Sequence, residues 1–163
     1  MCHKERSVRH RTGRCIMNVL FRDTITVYNY RKNRDSGEEM WHRTVVRGVQ
    51  WRHNRRELVL ANNVQGLAVA ERITIDFAHD YGNDRYIPPH EFRQMQDTEI
   101  AGCWTLDASG GMDILVLGVS DYEIGADCRL SELSGLFQYT ATVAAVSDNR
   151  DMPRLRNIKV VAK

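Results

Sequence analysis

From Phe21 onward the apolar positions follow a strand-like pattern, in short runs of β-branched and aromatic residues separated by polar or glycine-bearing breaks. Ile25 to Tyr30 reads as a strand, Arg31 to Gly37 as a polar turn, and Trp41 to Trp51 as a second strand with Gly48 as a bulge or bend. Trp51 to Arg56 is a basic run best suited to a solvated loop. Glu57 to Leu60 continues as a short strand, and Asn62 to Gly66 is a loop. The cleanest alternation is at Arg72 to Phe77: Ile73, Ile75 and Phe77 share one face, while Arg72, Thr74 and Asp76 share a face expected to meet water. After a polar loop at His79 to Arg85, Pro89 opens a short helix over His90 to Met95, where its missing N–H costs nothing. Trp104 to Val119 (WTLDASGGMDILVLGV) places two apolar segments around a Gly-rich turn. This predicts a β-hairpin whose second arm, Met112 to Val119, is a central strand buried on both faces. Ser131 is placed to cap a short helix ending at Leu136. Tyr139 to Val146 and Leu155 to Val161 form a final hairpin across the tip Asp148 to Pro153.

The count is about eight strands and one or two short helices. The expected fold class is therefore mainly β, a small antiparallel β-barrel or sandwich. A length of 163 residues, 42% hydrophobic and 27% charged, fits a single globular domain over residues 17–163. No run approaches the ~20 apolar residues of a spanning helix, and the basic start lacks a secretory leader's apolar core, so no membrane role and a reducing compartment are expected. Residues 1–16 lack periodicity and core formers. They read as a disordered basic arm or an over-extended start before Met17.

The net charge is only +2, but it is banded. Arg31 to Arg56 carries eight basic and three acidic residues, Glu71 to Glu132 thirteen acidic and four basic. Such a chain either presents opposed basic and acidic surfaces, suited to head-to-tail self-association or one-sided contact with nucleic acid, or interleaves the bands on folding. Arg43, Arg47, Arg52, Arg55 and Arg56 are the candidate basic surface.

Chemistry-bearing clusters are sparse. Cys2, Cys15, Cys103 and Cys128 match no disulfide scaffold and contain no CxxC pair, so they read as inert thiols. Of two weak metal sets, Cys2/His3/His10/Cys15 has a Cys-His pair too tight for finger spacing and Asp76/His79/Asp80, which could hold a metal or share a proton, reads better as ordinary polar groups of a loop; His90-Glu91 is half of HExxH without the second histidine. No metal, no cofactor and no enzymatic activity are expected.

The order of segments resembles small β-barrel proteins encoded between the capsid and tail genes of tailed bacteriophages and prophages. The resemblance spans roughly Ile25 to Lys163. It lies in the early strand Ile25–Tyr30, the Trp-containing strand Trp41–Gly48, the loop Tyr86-Ile87-Pro88-Pro89-His90-Glu91-Phe92, Trp104-Thr105-Leu106, the Gly-Asp segment Gly111–Ile114 and the closing hairpin 143–163. The basic start before Met17 and the short helix Ser131–Leu136 depart from that pattern. The resemblance implies a virion structural protein without catalytic residues, assembled in the bacterial cytoplasm. It would be a head–tail connector (head–tail joining, stopper-like) or minor head or tail component acting as a homo-oligomeric ring against portal or tail proteins, with non-specific DNA contact. Tyr81, Tyr86, Ile87 and Phe92 are the candidate interface, since aromatic residues are enriched in interface cores. The alternative for that loop is to fold back and cap one end of the barrel. The alternative function is a stand-alone barrel binding nucleic acid through Arg47–Arg56.

Overall fold

The structure, a computed structural model, describes residues 20–33, 36–60, 67–78, 85–125, 129–154 and 156–163; the side chains of 54–60 and 67–71 are outside that description. The elements are β1 (Asp23–Lys32), β2 (Glu39–Leu60), β3 (Leu67–Ala78), β4 (Arg85–Tyr86), α1 (Pro89–Phe92), β5 (Cys103–Trp104), β6 (Ile114–Leu117), α2 (Leu130–Leu136), β7 (Thr140–Asp148) and β8 (Asn157–Ala162). The expected mainly β fold of eight strands and two short helices is what these residues form.

Six strands pair in the order β1-β2-β3-β8-β7-β6, and β6 returns to β1, so the sheet closes on itself with every pairing antiparallel. The closure is uneven. β1 and β2 share ten residue pairs, whereas β6 meets β1 over four and β7 over three. The result is a flattened barrel, sandwich-like in its long β1-β2-β3-β8 wall. Ile25, Val27, Val46, Val49, Ile75, Phe77, Leu115, Ile158 and Val160 fill the interior at 0% exposure.

Gly48 is a bulge, as the sequence suggested. The β1–β2 register steps from Asp23↔Val49 to Thr24↔Arg47, and Gly48 holds φ +73°, where a Cβ would be strained. This extra residue inverts the side-chain parity along β2. Thr44 and Val46 are buried before it and Val49 after it, so Arg43, Arg47 and Arg52 all fall on the outer face.

Five expectations are corrected. Trp104–Leu106 and Met112–Val119 are not a hairpin: β5 pairs in parallel with β4, while β6 pairs with β1 and β7. β6 is nevertheless buried on both faces, Leu115 facing the barrel core and Val116 an outer cluster with Tyr28 and Leu133 of α2. Trp51–Arg56 is not a loop: β2 runs through it, with Trp51 to Asn54 paired to β3 and an irregularity before pairing resumes at Glu57. Thr74 and Asp76 do not meet water freely: both are 7% exposed, since strands flank β3 on either side and Arg52 of β2 covers Asp76. α1 ends at Phe92, short of Met95, and α2 begins at Leu130 with Arg129 at its N-cap; no side chain caps it, so Ser131 is inside the helix.

Candidate interaction surface

Where β6 stops short, β1 loses its ladder partner at Asn29, and a side chain takes over. Asn29 Nδ2 donates to Thr105 O at 2.7 Å, and Thr105 N donates to Asn29 Oδ1 at 3.1 Å, so the amide pairs with the backbone as another strand would. Asn29 Nδ2 also donates to Asp113 Oδ2 at 3.0 Å. Asp113 further accepts from Tyr30 N at 2.9 Å and Asp107 N at 2.7 Å. Burial pushes the Asp113 carboxyl up to about 6, while the three N–H donors pull it the other way. This network seats segment 104–107 in the gap of the barrel wall. Trp104 there stacks on Phe77 with centroids 5.2 Å apart and meets Tyr86 edge-on at 5.0 Å.

The loop expected to offer a contact surface is folded inward. Tyr86 is 7%, Ile87 4% and Phe92 1% exposed. Burial holds the Tyr86 phenol up at about 12, and Arg150 lies 4.5 Å from its ring centroid. Ile87 and Phe92 pack with Ile100 and Cys103 in a small cluster of their own. Their apolar area is taken up within the chain, with Phe92 against His42 and Arg31 of the barrel strands, and among the described residues here Arg85, His90, Glu91 and Arg93 are exposed. Tyr81 lies outside the described residues.

The basic candidates divide. Arg47 is exposed on the outer face of β2. Arg43 donates to Ser120 O at 2.9 Å and pairs with Glu123 at 3.2 Å, and Arg52 pairs with Asp76. Arg55 and Arg56 lie on β2 with side chains outside the description. Arg31 reaches Asp97 at 3.5 Å. These three ion pairs each join the basic band Arg31–Arg56 to the acidic band Glu71–Glu132 inside one chain, so folding interleaves much of what the sequence separates.

Cys103 is a buried free thiol whose Sγ donates to Glu99 O at 3.7 Å. No group of three or more His, Cys, Asp or Glu suited to a metal ion occurs among the described residues. Asp76, the described member of one candidate set, is engaged by Arg52; His79, Asp80 and the Cys2/His3/His10/Cys15 set lie outside the description. No helix among the described residues is long and apolar enough to cross a membrane.

Sequence reading missed Asn29 and Asp113. A signal was present: an asparagine within the β-branched run Ile25–Tyr30 and a lone carboxylate opening an apolar strand both need buried partners. It missed as well that Leu136, at the end of α2, stays 60% exposed.

The fold and its surfaces define a small closed β-barrel braced by short helices and a pinned loop. The chain belongs to a family of unknown function, DUF6751, whose model matches residues 20–163. No curated protein and no solved structure matches it.

Proposed function

We propose that this protein is a structural subunit of a tailed-phage or prophage particle, a head–tail connector or minor head or tail component used in several copies as a ring. The observation that carries the reading is where the resembling segments fall. Ile25–Tyr30, Trp41–Gly48, Gly111–Ile114 and 143–163 supply barrel walls and turns, and Trp104–Leu106 fills the gap between them. Those segments build the barrel itself, and a rigid block of this kind suits a subunit that works by being stacked or ringed. The reading involves no catalysis and no cofactor.

The test is material from a particle: virions, or the protein co-expressed with a portal. Cryo-EM or cross-linking is expected to find several copies around the DNA channel. Virions that lack the protein, together with tight sequence-independent DNA binding by the monomer, overturn the reading in favour of a nucleic-acid-binding barrel. The outer-face placement of Arg43, Arg47 and Arg52 favours that second reading, and the carboxylates on Arg43 and Arg52 weaken it.

A further inference from the structure

Strand alternation puts Arg31 on the same face of β1 as Ile25, Val27 and Asn29, one step beyond the apolar core. Its side chain is only 9% exposed, so a permanent charge is held nine-tenths out of water. Its compensation within the chain is thin. Nη2 donates to Met95 O, and Asp97 stands 3.5 Å away with its own side chain 53% exposed. Nη1 is buried and has no hydrogen-bond partner. On another side the guanidinium carbon lies 5.9 Å from the centre of the Phe92 ring. A buried charge is costly unless its donors are taken up, so an anion beside Arg31 would stabilise it.

There is room for one. A hollow of about 420 Å³ lies between the end of β1, Arg93 at the C-cap of α1 and the turn Asp107–Gly110, with Arg31 in its wall. That volume is in the range of small-molecule pockets. The lining holds three basic side chains, Arg31, Lys32 and Arg93, against one carboxylate, Asp107. Asp107 is already engaged, accepting from Arg93 Nε at 3.0 Å and Ser109 N at 2.8 Å, and Arg93 Nη2 also donates to Ser109 Oγ at 2.6 Å. Arg93 and Asp107 therefore form a neutral, fixed wall, and Arg31 and Lys32 are the charges that the lining itself leaves unbalanced. The nearest carboxylates on other sides are turned to other work. Asp97 lines a separate hollow, and Glu39, opposite Lys32 in the β1–β2 register, accepts from Tyr30 Oη at 3.0 Å. Lys32 is exposed, and Gly110 adds no side chain to fill the space.

We propose that this hollow is a binding site for a small phosphomonoester. Such a group carries about −1.5 to −2 charge near pH 7 and three strong acceptor oxygens, which matches two unbalanced cations better than a single carboxylate does. Arg31 supplies a planar, buried guanidinium that fixes direction, and Lys32 a mobile point charge at the rim. The volume beyond the phosphate, along Tyr30 and Gly110, takes the rest of the molecule. The site goes beyond the ring-subunit reading and does not depend on it.

The test is titration of the full chain with ribose 5-phosphate, acetate and a short DNA duplex, by calorimetry and amide NMR, with ionic strength held constant by chloride. Ribose 5-phosphate is expected to bind saturably at millimolar concentration or below, with amide shifts at Lys32, Ser109 and Gly110. Acetate is expected to bind about tenfold more weakly or not at all. Lys32→Glu changes an exposed side chain, so its unliganded thermal midpoint should match the parent's while its affinity falls about tenfold or more. Arg31→Met is expected to abolish binding, and Lys32→Glu decides alone if that chain does not fold. Absence of saturable binding, acetate binding as tightly, an unchanged affinity in Lys32→Glu, or shifts confined to other parts of the chain overturns the proposal. A duplex that binds through Lys32 where ribose 5-phosphate does not also overturns it, and assigns the hollow to a nucleic-acid backbone. Virions without the protein would remove the connector reading and leave this site standing, whereas failed titrations would remove the site and leave the reading.

Discussion

At the scale of single residues, the controlling pair is Asn29 and Asp113. Asn29 is fully buried, and its amide engages Thr105 O, Thr105 N and Asp113, so its two polar ends are both engaged. Asp113 is 2% exposed with a folded pKa of about 6, above the ~3.9 of an unfolded aspartate. The native state therefore binds the Asp113 proton more tightly than the unfolded state does. Its contribution to stability is fully present below pH ~4 and is lost as pH rises through about 6. Asp107 and Asp148 have the opposite sign. Hydrogen bonds from Ser109 and Arg93 outweigh burial at Asp107, and Arg150 lowers Asp148, so each contributes stability that is lost as pH falls through its folded value. The Asp113 term is isolated by subtracting the unfolding free energies of Asp113→Asn from those of the parent across pH 3.5–8. The difference is expected to fall by about 3 kcal/mol between pH ~4 and pH ~7 and to be flat beyond. A flat difference throughout would show that the carboxyl titrates as in the unfolded chain.

At the scale of elements, the bulge at Gly48 has the largest consequence per residue. It lets β2 keep Val46 and Val49 in the core while Arg47 and Arg52 face outward, which strict alternation forbids. Nothing lies within 4 Å of a Cβ built there, so Gly48→Ala meets no steric clash and its cost is the left-handed backbone alone. That cost is about 1–2 kcal/mol, and chemical denaturation is expected to show it as a lowered midpoint with an unchanged m-value. A loss of several kcal/mol would mean instead that the strand register had slipped. α2 illustrates the converse. It has seven residues and no side-chain cap, and it is held by Leu133 packing on Tyr28 and Val116.

At the scale of the whole molecule, folding draws together the charge bands that the sequence separates. Arg31–Asp97, Arg43–Glu123 and Arg52–Asp76 tie the two charge bands together within the chain. The N-terminal sequence stands apart from this ledger. Residues 1–16 contain five basic residues, one acidic residue and few core formers, and the family match begins at residue 20. Removal of residues 1–16 is expected to leave the thermal midpoint unchanged, with limited proteolysis of the full chain trimming to near Met17. A shortened chain with a lower midpoint would make that segment part of the domain.

The sequence by itself determined the class of fold, because strand formation is written locally. β-branched and aromatic runs, glycine at a bulge and proline at a helix start each act within a few residues. It determined too that β6 is buried on both faces, since an unbroken Ile-Leu-Val-Leu run has no side to give to water. What it left to the tertiary structure was which strands meet. The turn at 107–111 looked like a hairpin because Gly-rich loops between apolar runs usually are, yet β6 found β1 and β7, and Asn29 took the place its neighbour left empty. The same holds for the surface. Tyr86 and Phe92 read as contact residues from their chemistry, but aromatic side chains serve a core and an interface equally, and only the position of the barrel end decided between them. The run Trp51–Arg56 read as a loop from its charge, and became part of a strand because β3 offered partners to Trp51–Asn54 and again from Glu57, a fact held by residues some twenty positions away.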